Sequence, residues 1–538
     1  MQHYGQGLWQ GVLLALALSA VTLTMLDPSA VAQEKPRYGG ELILAVPSEP
    51  PSYDGHREET FGLIHPIAPF YSLLLRVDPN DYNKIVGDLA DSWAVSDNQL
   101  TYTFAIHQGV TFHDGSPVTA RDVKASYDKI VFPPEGVVSN RQGQYTMVEA
   151  IEAPDDTTVR FRLKWPSASF LLSLASPWNF IYKADILARD MHWYEQNILG
   201  SGPFVFVEHV RGSHLVGKRN PNYWEQGKPY LDGYRAIFIS DTAARVAALK
   251  GERAHIEFRG LAPKQSDEIV KALGASKVTV QESPWDCILL VALNHEKKPF
   301  DDKRVRRALT LALDRYEGSR VLSKIAIVKE VAGIQVPGTP YATPPEELSQ
   351  LAGYGRNIEA SRQEARRLLK AAGAEGLSFT FKNRGIPMPY EPLGIWLIDQ
   401  WRKIGLNVNQ EVIEAAAYYK VLRGGEHEAA MDFQCGYIVD PDLDLYKFLS
   451  IDRNPANYGR YTDHVLDDLY DKQSRATNPE ERKQYLRQFE KRLLDEEVHY
   501  LMTLQWHRII PHSARVKGWK ISPSHYLNQQ LDTVWLTE

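Results

Sequence analysis

Gly200-Ser201-Gly202-Pro203-Phe204, running through Val207, Glu208, Gly212 and Lys218 to Arg219-Asn220-Pro221-Asn222-Tyr223-Trp224, is the stretch from which the fold can be read. Two glycines and a proline set a turn, because glycine tolerates close backbone approach and proline fixes its own φ. The run after Phe204 reads as a hairpin of alternating residues, and Asn220-Pro221 begins a second turn closed by a Tyr-Trp pair. At 538 residues the chain exceeds what one hydrophobic core serves, so two or more lobes are expected. Apolar residues at 43% and charged residues at 24% are those of an ordinary globular protein. A net charge of −6 gives no basic surface for nucleic acid.

Three further blocks extend the pattern in order. Leu89–Ile130 carries Leu89-Ala90-Asp91-Ser92-Trp93, then Thr101-Tyr102-Thr103-Phe104, then Phe112-His113-Asp114-Gly115. Asn294–Arg315 carries Pro299-Phe300-Asp301-Asp302 and Arg304-Val305-Arg306. Tyr461–Leu501 reads as paired C-terminal helices. Together with the opening stretch, these blocks resemble the motifs of the family 5 extracellular solute-binding proteins, the receptors of peptide-type ABC importers, over most of the chain after about residue 37. The resemblance implies an α/β, two-lobed periplasmic binding protein fold with an extra strand-rich domain on lobe one, the three-domain type. It implies a ligand-capturing clamp, neither catalytic residue nor cofactor, and a monomer that meets permease and ATPase subunits at the membrane.

Val12–Met25 is the only long apolar run, too short to span a bilayer comfortably. Ala30-Val31-Ala32 follows as a small-residue cleavage site, which predicts a signal peptide over 1–32 and export to a periplasm. The leader has His3 but no Lys or Arg before the apolar run, which leaves an uncleaved anchor or a misassigned start open. No cysteine stands at the cleavage point, so a lipoprotein is not expected. The two cysteines are Cys287 and Cys435. In an oxidising compartment they read as a disulfide or as two buried thiols. The resemblance favours the bridge, since Cys287 stands seven residues before Asn294 as a disulfide cysteine does in some oligopeptide-binding relatives.

With family order as a guide, the chain divides into lobe one (33–76), the extra domain (77–195), lobe one again (196–286), lobe two (287–508) and a return to lobe one (509–538). Strands are predicted over Glu41–Val46, Leu100–Ile106, Val110–Phe112 and Thr158–Leu163 by alternation. Thr119 is the predicted cap of a helix through Asp122, and Ala243–Leu249 reads as helical. In lobe two Val305, Ala308, Leu309, Ala312 and Leu313 recur at helical spacing after Asp301 or Asp302. A helix through Ala365, Leu368, Leu369 and Ala372 stops at Gly373, and Leu393–Ile404 stops at Gly405 before the strand Leu406–Val412. Crossover strands near 287–293 and 503–510 are the expected hinge.

Several segments imitate catalytic motifs and each lacks a required residue. Gly212–Arg219 has the glycines and Lys218 of a phosphate loop, but Arg219 stands where Ser or Thr must hold magnesium. Asp440–Asp444 starts like a calcium loop without its glycine and final glutamate. His427-Glu428 has Met431 where a zinc site needs a second histidine. The candidate ligand residues are instead Asp440 and Arg384. Asp440 follows Gly436-Tyr437-Ile438-Val439, similar to the segment whose aspartate takes the peptide ammonium in dipeptide-binding relatives, with Asp442 as the neighbouring register. Arg384 stands 17 residues before Trp401, as does the carboxylate-binding arginine of those relatives. A guanidinium fork suits a carboxylate, and a buried ammonium needs an anion. Tyr437 and Trp506 are candidates for apolar pocket walls, and Ser48, Glu49 and Tyr53 for contacts after the first strand. No metal site is expected, and the expected ligand is a small peptide or a peptide-like solute, with a non-peptide solute (an opine, a sugar or a metal chelate) or a sensor without transport as the alternative that the resemblance leaves open.

Overall fold

Phe204–Val210 and His214–Arg219 pair antiparallel, as their alternation predicts. The glycines before them are fixed by crowding. A Cβ at Gly200 would lie 2.0 Å from the Phe70 carbonyl oxygen, and one at Gly202 would lie 2.5 Å from the Tyr71 nitrogen. The second turn folds back on the first, with Asn220 Nδ2 donating to Gly202 O (3.0 Å) and Asn220 N to Pro203 O (2.9 Å). The computed structural model describes residues 34–538 except Pro387 and Tyr437. The expected leader over 1–32 and the candidate Tyr437 therefore lie outside the described residues.

This hairpin is one edge of a four-stranded sheet in the order Glu41–Val46, Gly233–Phe238, His214–Arg219, Phe204–Val210, with the first two parallel. Leu42, Leu44, Phe70, Tyr71, Phe204 and Tyr234 fill its core. A second four-stranded sheet, antiparallel throughout, comprises Ala90–Val95, Thr101–Ile106, Thr158–Leu163 and Val148–Asp155. Helix Ala120–Val131 covers it with Val123, Tyr127 and Ile130, and the Thr119 N–H donates to Asp122 at 2.8 Å to close the cap. Val110–Phe112 forms no strand. Thr111 only bridges Pro117, because the turn at Asp114–Ser116 reverses the chain before a ladder can grow.

The third sheet is mixed, in the order Asn407–Ile413, Ser378–Arg384, Ala429–Cys435, Val278–Leu293, Tyr500–Ser513. Lys303–Leu311, capped by Asp302, Ile358–Ala371, capped by Asn357, and Tyr390–Arg402 pack around it. Gly373 and Gly405 adopt the positive φ that ends the latter two. The last two strands of the sheet are longer than expected and form a ribbon from Val278↔Ser513 to Ala292↔Tyr500. Its Val278 end packs with Ala45, Val246 and Leu249, while its Leu289 end enters the lobe-two core. The register breaks between Pro284 and Ile288, where the ribbon passes from one lobe to the other. After the ribbon, Val516-Lys517 pairs with Trp535-Leu536, and Leu536 packs into the first core.

The lobes also touch away from the ribbon. Ile438 is buried in the core of the strand-rich domain. Ala168 N donates to Ser474 O at 2.9 Å, and the Arg475 guanidinium lies 5.6 Å over the Trp165 ring.

Candidate ligand-binding site

Ser378–Arg384 and Ala429–Cys435 run parallel, so their carboxyl ends leave the sheet at one edge. Crevices at such ends are where α/β sheets bind ligands. The antiparallel strand Val278–Leu293 brings Asp286 and Cys287 to the same edge, where Cys287 faces Cys435 and is joined to it by a disulfide.

Arg384 is the last residue of its strand and half-buried. Asn383 Nδ2 donates to Tyr390 O (2.9 Å), which seats the start of the next helix beside the arginine. The guanidinium donates to the Tyr390 hydroxyl at 3.1 Å and lies 5.4, 5.1 and 5.8 Å from the rings of Tyr390, Tyr419 and Phe433. Its Nε has no hydrogen-bond partner among the described residues, and no carboxylate lies in ion-pair range of it there. The result is a cation held in an aromatic cradle with donors unused.

Asp440 is not part of a solvated turn. It is buried and caps the short helix Pro441–Tyr446, with Oδ1 accepting from Asp442 N at 2.8 Å. Its Oδ2 lies 3.6 Å from Arg482 Nη2 and accepts no hydrogen bond from the described residues. Burial pushes its carboxyl up to about 6, with Arg482 opposing. Asp442, the alternative register, is fully occupied by Ser169, Gln473, Ser474 and Arg482. Ser169 belongs to the strand-rich domain, so Asp442 ties the lobes together while Asp440 retains a free acceptor. Both line a cavity of about 680 Å³ whose other walls include Met147, Trp165, Tyr446, Tyr470 and Arg475.

Trp506 is buried, edge-on to Trp285 at 5.3 Å and to Tyr390 at 6.1 Å, with its Nε1 unpartnered among the described residues. Tyr390 thus connects Trp506 to Arg384. The lobe-one candidates sit elsewhere. Glu49 accepts from Gly212 N at 2.9 Å and lies 3.2 Å from His209 Nε2, while the Tyr53 hydroxyl lies 2.7 Å from His209 Nδ1. These two side chains brace the tip of the hairpin. Ser48 packs at the first turn of helix Phe61–Ile67, where a Cβ on Gly62 would lie 2.4 Å from its Oγ. No contact among the described residues joins these three side chains to Arg384 or Asp440. Sequence reading missed Tyr390, Tyr419 and Phe433, which no local pattern marks, because only the topology assembles them. It also missed Asp286 and Asp444.

A profile of the bacterial extracellular solute-binding proteins, family 5, middle region, matches residues 84–455, well over half of the chain. The chain belongs to this family. The family 5 protein is 27% identical over 516 residues to di/tripeptide-binding protein 1 of Pseudomonas aeruginosa (strain UCBPP-PA14), covering 90% of this chain and 92% of that one. Heme-binding protein A of Haemophilus influenzae is 28% identical over 469 residues, covering 81% and 82%. Relatives at one level of identity thus carry names with different ligands, and membership does not fix the solute. Among solved structures, the periplasmic binding protein DppA of Helicobacter pylori in complex with the peptide STSA superposes with a TM-score of 0.75 at 24% identity, over 93% of this chain and 99% of that one. That likeness establishes the periplasmic binding protein fold. These relatives are binding proteins rather than enzymes. No described helix is long and apolar enough to cross a membrane.

Proposed function

We propose that this family 5 protein is the periplasmic receptor of an ABC importer, and that it captures a short peptide or peptide-like zwitterion. The observation that carries this reading is the Arg384 guanidinium, cradled by Tyr390, Tyr419 and Phe433 with its Nε unpartnered. A ligand carboxylate completes it, and the free Oδ2 of Asp440 receives the ligand ammonium. Trp506 walls the site beside Tyr390, Tyr437 is carried as a further candidate from the sequence alone, and the segment from Ser48 through Glu49 to Tyr53 meets the ligand mainly through its backbone.

The ligand draws the lobes together about the ribbon. Because it contacts both lobes only when they are closed, its binding energy shifts the population toward that state. The closed monomer then docks on permease and ATPase subunits, after export and removal of residues 1–32. Thermal unfolding of refolded, ligand-free protein tests the solute class against di- to pentapeptides, sugars, opines and metal chelates. Peptide at about 1,000 times its Kd raises stability by about 4 kcal/mol. Silence toward every peptide, with a shift from one of the other solutes, contradicts the reading.

A further inference from the structure

The wall around Asp440 holds more carboxylate than one ligand ammonium requires. Asp286, Asp440 and Asp444 are 4%, 2% and 1% exposed. Asp444 lies one turn after Asp440, its N–H donating to Asp440 O at 3.1 Å. Asp286 Oδ2 presses on Gly436, where a Cβ would lie 2.1 Å from it. Among the described residues, Asp286 Oδ2, Asp440 Oδ2 and both oxygens of Asp444 have no well-formed hydrogen bond, although the Gln335 and Gln434 amides approach Asp444 and Arg482 lies 3.6 Å from Asp440 Oδ2.

Two amides point to the same deficit. Gln335 is buried with its amide against the Asp444 carboxyl, without a well-formed hydrogen bond among the described residues. Gln505 donates Nε2 to Trp285 O at 2.6 Å and leaves its buried Oε1 unpaired. The unpaired atoms are mostly acceptors, so the missing partner is a multi-donor cation. The nearby protein cations are already engaged: Arg482 lies 3.0 Å from Asp442 and is shared with Asp440 at 3.6 Å, and Lys447 lies 2.8 Å from Asp432, which leaves Asp286 and Asp444 without a cation. Burial and the neighbouring carboxylates raise the proton affinity of Asp286 and Asp444, the sign of charge left without a counterion. The three carboxylates do not converge on one ion's coordination sphere; the metal-compatible group among the described residues is a different one, Asp452, His464 and Asp467. An extended organic cation fits them better than a metal.

We propose that the ligand carries two positive charges at its amino end, the α-ammonium and the cationic side chain of a first residue of the lysine, ornithine or arginine type. Asp440 meets the ammonium, and Asp286 and Asp444, with the Gln335 and Gln505 oxygens, enclose the side-chain cation. This rests on the peptide reading above and specifies its substrate class. Calorimetric titration of the mature protein with Lys-Ala, norleucyl-Ala and Ala-Lys separates the two claims. Lys-Ala binds at least about tenfold tighter than norleucyl-Ala, and Ala-Lys shows no such gain, because a buried ion pair lost on one side leaves charge uncompensated. Asp444→Asn and Asp286→Asn each narrow the Lys-over-norleucyl preference, with folding checked by circular dichroism. Equal or tighter binding of norleucyl-Ala by the unaltered protein overturns this inference alone, whether or not the variants fold. Absence of binding by all three peptides overturns it together with the peptide reading.

Discussion

Replacing Arg384 by methionine keeps an unbranched apolar stem in the aromatic cradle and removes the guanidinium. In the ligand-free protein that group commits one donor to the Tyr390 hydroxyl, at 3.1 Å, and leaves Nε unpaired. Methionine therefore breaks one hydrogen bond and three ring contacts, while also removing a half-buried charge with no carboxylate in range. Unfolding of the free protein is expected to move by no more than about 1–2 kcal/mol. The bound state differs. There the fork meets a ligand carboxylate away from water, and truncating one side of such a pair costs about 2–5 kcal/mol, roughly 30- to 5,000-fold in Kd. The assay is calorimetric titration of parent and Arg384→Met protein with one dipeptide as the free acid and as the C-terminal amide. The expected result is a large loss for the acid and little further loss for the amide, which already lacks the charge. Equal losses for acid and amide would refute the reasoning, since they would show that Arg384 supports the site without touching the carboxylate.

Asp286 and Asp440 have folded proton affinities raised to about 8 and about 6, against an ordinary aspartate value near 4. Between those limits each of these two carboxyls holds more protons folded than unfolded, so its own contribution to ligand-free stability falls as pH rises from about 4 to about 8, by at most about 1.4 kcal/mol per pH unit, while buried histidines such as His56 and His65, held down to about 3, act in the opposite direction. Denaturant titrations of the parent and Asp286→Asn proteins at pH 5 and pH 8 isolate the Asp286 part: the parent's stability relative to the variant is expected to fall between the two pH values. The Cys287–Cys435 bridge closes a separation of 148 residues, so the Cys287→Ala/Cys435→Ala protein is expected to lose about 2–5 kcal/mol in urea unfolding. Gly202→Ala drives a Cβ to 2.5 Å from backbone atoms of Phe70 and Tyr71 and is expected to cost at least about 1–3 kcal/mol. Gly355→Ala, with open space around it, is expected to leave the midpoint almost unchanged.

Local chemistry made much of the architecture legible. The turn at Gly200–Pro203, the Asp302 cap and the terminating Gly373 and Gly405 each act over a few residues, and the structure retains each of them. The ribbon was legible only in part. Val278–Leu293 is buried on both faces from Trp285 onward, where its apolar run marks it, whereas its first half is partly exposed, polar at Gln281-Glu282-Ser283 and interrupted by Pro284, so composition does not mark it. The site divides in the same way. Arg384 and Asp440 could be singled out by charge and spacing, but their settings could not. Tyr390, Tyr419 and Phe433 come from three elements that only the sheet order brings around one guanidinium. Asp286 stands between Trp285 and Cys287 without any local pattern, and its nearness to Asp440 arises from the strand pairing at Cys287↔Cys435. Glu49 and Tyr53 show the opposite case, polar residues at a strand end whose side chains are engaged by a hairpin about 160 residues away.

The central claim is that both ends of a peptide are recognised by charge, and one titration tests it most directly. Refolded, ligand-free protein is titrated in a calorimeter with a single dipeptide in free, N-acetylated and C-amidated forms. The account predicts saturable binding of the free form and a loss of roughly two or more orders of magnitude on blocking either end. Undiminished binding of both blocked forms would contradict it.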